Sequence, residues 1–239
     1  SWGADTRLTN NTSDSKFPSV SVSGPTVHVV WTDRRDGNNE IYYKRSTDEG
    51  LSWGSDTRLT NNAFTSNVPS VTASGASGAV HVVWDDQRDG NSEIYYKRST
   101  DGGTSWGSDT RLTSSAAFSS SPSVTVSGAM HVAWHDERDG NWEIYYKRST
   151  DGGISWGTDT RLTSSASASG YPSLTVSGSA THVVWYDDRD GNNEIYYKRS
   201  TDGGISWEAD TRLTNDSAFS WYPSVTASGS TVHVVWYDN

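Results

Sequence analysis

One phrase returns four times along this chain and fixes most of what it can become. Ser46-Thr47-Asp48-Glu49-Gly50-Leu51-Ser52-Trp53 recurs at residues 99–106, 149–156 and 200–207 as S-T-D-x-G-x-S-W. Each copy follows Glu-Ile-Tyr-Tyr-Lys-Arg and leads into Asp-Thr-Arg-Leu-Thr. A period of about 50 residues, with apolar and polar positions alternating between the turns, is the mark of stacked small sheets.

Within one period the pattern reads as four short antiparallel strands, A to D. Pro18-Ser-Val-Ser-Val-Ser-Gly24 alternates and ends in a glycine turn, Val27-His-Val-Val-Trp31 is more continuously apolar, and Asp33-Arg-Arg-Asp-Gly-Asn38 is a tight turn. Glu40 to Arg45 forms the third strand, and Trp53 to Thr60 the fourth, after the repeated turn. Such a sheet has two faces to cover, and radial stacking of similar sheets covers both. A two-layer sandwich has no reason to repeat its sequence five times. The expectation is an all-β, five-bladed β-propeller of four-stranded antiparallel blades, one domain over residues 1–239. Its blades span residues 18–60, 69–113, 122–163, 172–214, and 223–239 together with 1–9.

Strands A, B and D occur five times each, but strand C only four. The ring is therefore expected to close with N- and C-terminal strands in one blade that lacks its third strand. Strand B there has an open edge, a hazard for association. A partner chain filling the gap, the N-terminal strand docking elsewhere, or a shortened chain would each resolve it; a homo-oligomer through this blade is the partner expected.

Composition narrows the function. The net charge of −10 sets aside nucleic acid and anionic membrane surfaces as partners. No apolar run reaches spanning length, which argues against membrane insertion, and no leader is read. Without cysteine there are no disulfides or thiolate metal sites, and the compartment stays open. Twelve Trp and twelve Tyr let a chain that is only 32% hydrophobic build a core from few positions.

The repeated S-x-D-x-G-x-x-W resembles the Asp-box of the sialidase-like propellers. It is carried by Asp48, Gly50 and Trp53, then Asp101, Gly103 and Trp106, Asp151, Gly153 and Trp156, and Asp202, Gly204 and Trp207. The resemblance implies a structural role: Asp caps the C–D turn, Gly takes a left-handed conformation and Trp packs between blades, on the face away from the ligand. It also implies secretion. Sialidases of the family need an arginine triad, a Tyr–Glu pair and an Asp acid/base. Here the arginines, Arg35, Arg88, Arg138 and Arg189 in the B–C loops and Arg7, Arg58, Arg111, Arg161 and Arg212 on strand D, all belong to the repeat. Near-identical blades give every carboxylate a similar environment, whereas a hydrolase needs two in distinct ones.

Two other repeated groups invite a metal. Asp33-x-x-Asp36-Gly37-Asn38-x-Glu40 and its copies at Asp86, Asp136 and Asp187 could hold Ca²⁺, but the adjoining Arg explains the carboxylates as ion pairs. His28, His81, His131, His182 and His233 read as structural hydrogen-bonding groups. No cofactor or metal is expected.

The repeats differ at the D–A loops and at the residue after the strand-B Trp: Thr32, Asp85, His135, Tyr186 and Tyr237. Both places lie on the face opposite the Asp-boxes. Aromatics gather there: Phe17, Phe64, Phe118, Tyr171, Tyr186, Phe219, Trp221, Tyr222 and Tyr237, with Trp142 from a B–C loop. Rings beside Asp, Asn and Arg suit sugars, and drift in tolerant loops explains the same variation. The leading expectation is a non-catalytic, lectin-like propeller binding glycans at repeated shallow sites, with Phe17, Trp142, Tyr171, Tyr186, Trp221, Tyr222, Tyr237 and the four B–C arginines as candidates. A sialidase-like hydrolase and an amplified repeat scaffold are the alternatives.

Overall fold

The computed structural model describes residues 3–75 and 78–239. Among the described residues every element is a strand, and the strands form five antiparallel sheets. The first blade is β1 (Ser15–Ser23), β2 (Thr26–Asp33), β3 (Glu40–Ser46) and β4 (Thr57–Arg58). The second is β5 (Ser66–Ala73), β6 (Val80–Asp86), β7 (Glu93–Ser99) and β8 (Thr110–Arg111). The third is β9 (Ser119–Ser127), β10 (Ala129–Asp136), β11 (Glu143–Ser149) and β12 (Thr160–Arg161). The fourth is β13 (Ser169–Ser177), β14 (Ala180–Asp187), β15 (Glu194–Ser200) and β16 (Thr211–Arg212). The fifth holds only β17 (Ser220–Ser228) and β18 (Thr231–Asp238).

The core lies between blades. Val30, Ile41, Tyr43 and Leu59 of the first blade pack on Val71, Val80, Val82, Trp84 and Tyr95 of the second, and the two following seams repeat this pattern. The innermost strands stack β1 on β5, β5 on β9, β9 on β13 and β13 on β17. An inner-edge strand leaves amides without a ladder partner. Here a serine hydroxyl of the preceding blade meets one such amide each time: Ser19 to Val71, Ser70 to Val124, Ser123 to Leu174 and Ser173 to Val225, at 3.1–3.2 Å.

The Asp-box turns sit at the far end. Asp101 accepts the Ser105 amide and hydroxyl and the Ser99 hydroxyl, while Ser99 Oγ accepts the Gly103 amide. Gly103 has φ +82, and a Cβ there would lie 2.0 Å from the Tyr43 hydroxyl of the preceding blade. Trp106 meets the edge of the same Tyr43 ring, with centroids 5.0 Å apart. The turn thus pins one blade to the next through a tyrosine.

Three features differ from the sequence expectation. The fourth strand of each complete blade is two residues long, because the chain bows to bring Asp56 against Arg35 at 2.6 Å and Lys44 at 2.9 Å. Its pairing resumes on either side, at Gly54 to Arg45 and Leu59 to Ile41. Strand A begins three residues before its proline, with a bulge where Pro, lacking an N–H, cannot join the ladder. Closure keeps the expected place without the expected pairing. Residues 3–9 form no strand, but Leu8 packs on Val29, Trp31 and Tyr42 of the first blade, and Lys44 holds its carbonyl as Lys97 holds that of Leu59, so this segment stands where a fourth strand stands in the other blades. Trp2 lies outside the described residues. Among the described residues no close stacking joins β17 to β1, so the seam between the fifth and first blades is open.

Candidate functional site

Symmetry assigns the repeated polar residues first. Asp33 accepts Trp31 Nε1, the Ser15 hydroxyl and both Nε and Nη2 of Arg35, whose third nitrogen holds Asp56. The Arg35 guanidinium also lies 4.2 Å above the Tyr42 ring. Arg88, Arg138 and Arg189 repeat this arrangement on Asp86, Asp136 and Asp187. These hydrogen bonds hold the Asp33 carboxyl far below the ordinary carboxylate range, against the opposing push of burial. Asp36 accepts the Tyr42 hydroxyl, and Glu40 accepts the Thr60 hydroxyl and Arg58. Asn38 ties the B–C turn to the carbonyls of Asn62 and Phe64. The four B–C arginines are therefore fastened into the scaffold, each with the same partners. The histidines of strand B bond tyrosine hydroxyls of strand C, His28 to Tyr43 and His81 to Tyr96 at 2.8 Å.

Three positions per repeat escape this symmetry, all on the B–C side. After the strand-B Trp stand Thr32, Asp85, His135 and Tyr186; after the following Asp stand Arg34, Gln87, Glu137 and Asp188; after the turn Asn stand Asn39, Ser92, Trp142 and Asn193. The nine side chains from the second, third and fourth blades line two adjoining cavities. One, of about 380 Å³, is walled by Asp85, Gln87, Ser92, His135, Glu137 and Trp142. The other, of about 490 Å³, takes Glu137, Trp142, Tyr186, Asp188 and Asn193, with Trp221 from the fifth blade. Trp142 and Glu137 form their common wall, and the Trp142 indole N–H donates to the Glu137 carboxyl.

A third hollow of about 490 Å³ lies at the mouth of the axis, lined by five residue pairs that each end in proline: Phe17, Val68, Ser121, Tyr171 and Tyr222 with the prolines that follow. All five leading residues have φ between +47 and +54. A left-handed conformation ahead of proline, and at β-branched Val68 in particular, is strained by about 1–3 kcal/mol each. The bulge holds it, and Phe17, Val68, Ser121 and Tyr171 also line the smaller cavity. The three hollows are thus one depression.

Its aromatic side is continuous. His135 stacks on Trp142 with centroids 4.5 Å apart, Tyr171 stacks on Tyr186 at 5.7 Å, and Tyr186 meets Trp221 at 4.8 Å. Tyr222 closes on Tyr171 at 5.0 Å. Gly170 makes room for this, since a Cβ there would stand 2.9 Å from the Tyr186 ring.

The polar side is centred on Asp85. Its carboxyl is almost wholly buried and accepts the Ser120 hydroxyl at 3.0 Å, with Ser92 more distant at 3.4 Å. Burial outweighs these bonds and pushes its pKa up to about 7. Burial likewise brings His135 down to about 4, so the imidazole is neutral at physiological pH. Among the described residues no Lys or Arg lines any of the three hollows.

Of the sequence candidates, Phe17, Trp142, Tyr171, Tyr186, Trp221 and Tyr222 meet in this depression; Tyr237 lies on β18, opposite Trp221, and lines none of it. Arg35, Arg88, Arg138 and Arg189 are outside it, and the repeated Asp-Gly-Asn turns spend their carboxylates on Arg, Tyr and Thr. Asp85, His135 and Glu137 were not singled out as site residues. The signal for all three is the same, a break in an otherwise repeated turn.

The sequence matches the model of the BNR repeat-like domain over residues 34–233. No curated protein matches it. Among solved structures it resembles the GH93 alpha-L-arabinofuranosidase of Fusarium graminearum in complex with arabinobiose, with TM-score 0.68 and 16% identity over 92% of this chain and 74% of that one. It also resembles the intramolecular trans-sialidase from Ruminococcus gnavus in complex with oseltamivir carboxylate, with TM-score 0.67 and 11% identity over 84% and 71%. An N-acetylgalactosamine deacetylase from F. plautii in complex with blood group B trisaccharide gives TM-score 0.61 and 14% identity over 96% and 82%. At these identities the likeness establishes the propeller fold. With the family model covering most of the chain, the protein is a member of the BNR repeat-like domain family.

Proposed function

We propose that this protein is a carbohydrate-active propeller that takes a neutral glycan in the axial depression and hydrolyses a glycosidic bond there. The observation that carries the reading is the pairing of two carboxyls in unlike settings within one hollow: Asp85, buried and titrating near neutrality, and Glu137, which accepts the Trp142 N–H. Glycoside hydrolysis asks for such a pair. Asp85, protonated below about pH 7, donates its proton to the leaving oxygen as the C–O bond breaks; Glu137 supplies the second carboxyl, for the attacking water. Trp142, Tyr171 and Trp221 offer faces on which sugar rings stack.

Similar folds carrying saccharides, the arabinofuranosidase with arabinobiose among them, support the substrate class. The absence of any cation in the lining supports a neutral sugar over an acidic one, because a sugar carboxylate needs an arginine clamp. The reading departs from one shallow subsite per blade, since the lining residues are those that do not repeat.

The test is a panel of aryl glycosides of neutral sugars and neutral oligosaccharides, assayed across pH. Turnover should fall as pH rises through about 7 and drop by about 100-fold or more in Asp85→Asn, with glycan binding retained. A glycan that binds without turnover at any pH would overturn the hydrolase reading and leave a lectin.

A further inference from the structure

The axial hollow differs in kind from the two cavities that adjoin it. Those are walled by side chains that bond hydroxyls: Asp85, Gln87, Ser92 and Glu137 in one, Glu137, Asp188 and Asn193 in the other. Among the described residues the axial hollow, about 490 Å³, presents no carboxyl, amide, imidazole or cationic side chain; Ser121 and two tyrosine hydroxyls are its polar side-chain groups. Its main chain is equally short of donors. Each wall residue is followed by a proline, which has no N–H. The Val68 amide turns away to Thr32 Oγ1 at 3.2 Å, and those of Ser121 and Tyr171 point to Asp85 and His135 of the preceding blades at 3.5 Å. A sugar ring set there would give up hydrogen bonds to water and find few in return. An apolar group would gain by burial.

The wall residues themselves point the same way. Their φ of +47 to +54 is the region where Gly or Asn is least strained. The bulge needs that conformation and not any particular side chain, yet Phe, Val, Ser, Tyr and Tyr stand there. Val68, being β-branched, is the least suited of them. Backbone strain at a place where a milder residue would serve points to a side chain needed for what it touches. The hollow also meets the chemistry. Phe17, Val68, Ser121 and Tyr171 line both it and the cavity that holds Asp85 and Glu137, and the Ser121 amide points to the Asp85 carboxyl. Asp85 is the donor to the leaving oxygen, so the leaving group departs on this side.

We propose that the axial hollow is an aglycone site, and that the substrate is a neutral glycan joined there to an aromatic alcohol rather than to another sugar. The sense of the cleavage rests on the hydrolase reading; the affinity of the hollow for an aromatic ring does not. A flat ring finds aromatic neighbours in Phe17, Tyr171 and Tyr222 and gains from them beyond its burial, whereas an alkyl chain gains burial alone. On cleavage the bond between the sugar carbon and the aromatic oxygen breaks, Asp85 gives its proton to that oxygen, and water supplies the new sugar hydroxyl, its proton passing to Glu137.

The experiment uses the full chain, free naphthol, and the methyl, octyl and naphthyl glycosides of each neutral sugar in the panel. Naphthol alone should bind and shift the NMR signals of Val68 and Tyr171. A naphthyl glycoside should bind about tenfold or more tighter than the methyl glycoside of the same sugar, and tighter than the octyl one. Val68→Asn suits the left-handed backbone and should keep or raise the Tm, while the naphthyl-to-methyl ratio falls by about threefold or more. Naphthol that binds in this way while no glycoside is turned over would uphold the hollow and strike the hydrolase reading alone. No naphthol binding, a naphthyl-to-methyl ratio near one, an octyl glycoside that equals the naphthyl one, or a ratio unmoved in Val68→Asn would each overturn the proposal.

Discussion

Asp85 brings a carboxyl to a place where its four counterparts, Thr32, His135, Tyr186 and Tyr237, bring none. In the unfolded chain it would lose its proton near 3.8; in the fold it keeps it up to about 7. The folded protein holds the extra proton in that window, so stability falls as pH rises across it, by up to about 1.4 kcal/mol per unit. Asp85→Asn removes the charge and should match the parent at about pH 4 and exceed it above pH 7 in thermal unfolding. An advantage that does not grow with pH contradicts the burial. Glycine in the Asp-box gives a second residue-scale prediction. Gly50 and Gly103 both have positive φ, but a Cβ at Gly50 meets only Trp53 at 3.8 Å, while one at Gly103 collides with the Tyr43 hydroxyl. Gly50→Ala should cost about 1 kcal/mol, and Gly103→Ala about 1–3 kcal/mol more from overpacking, read from denaturant midpoints.

The B–C turn is the element in which scaffold and site are interleaved. Its Asp, Arg, Asp-Gly-Asn and Glu are fixed by ion pairs and turn geometry, and the residues between them are free to become lining. Arg138→Lys keeps the charge but loses the bidentate grip on Asp136 and the stack on Tyr145. Because Asp136 is fully buried and Arg138 partly exposed, the loss should be about 2–4 kcal/mol, seen as a lower chemical midpoint with an unchanged slope. The repeat, its strand order and its turns were legible in the sequence because they are local and occur four times over. The two-residue fourth strand was not, since the bow that shortens it is set by Asp56 reaching Arg35 across the sheet. Phe17, Trp142, Tyr171 and Trp221 were legible as exposed-face aromatics. Asp85 and Glu137 were not, because their meaning depends on which blades sit beside each other and how deeply each carboxyl is buried.

At the scale of the molecule, near-perfect repetition builds three nearly equivalent seams between the first four blades, and a few substitutions on one face make the propeller asymmetric. Nine such residues, from the second, third and fourth blades, shape the two cavities beside the axial mouth. A propeller with one subsite per blade would bind several ligands alike; this one should bind a single glycan across blades two to five. The direct measurement is the stoichiometry of a bound neutral oligosaccharide, by native mass spectrometry on the intact chain and on Trp142→Ala. One saccharide per chain, lost in the variant, is the predicted result; several equivalent saccharides per chain, or binding indifferent to Trp142, would contradict it.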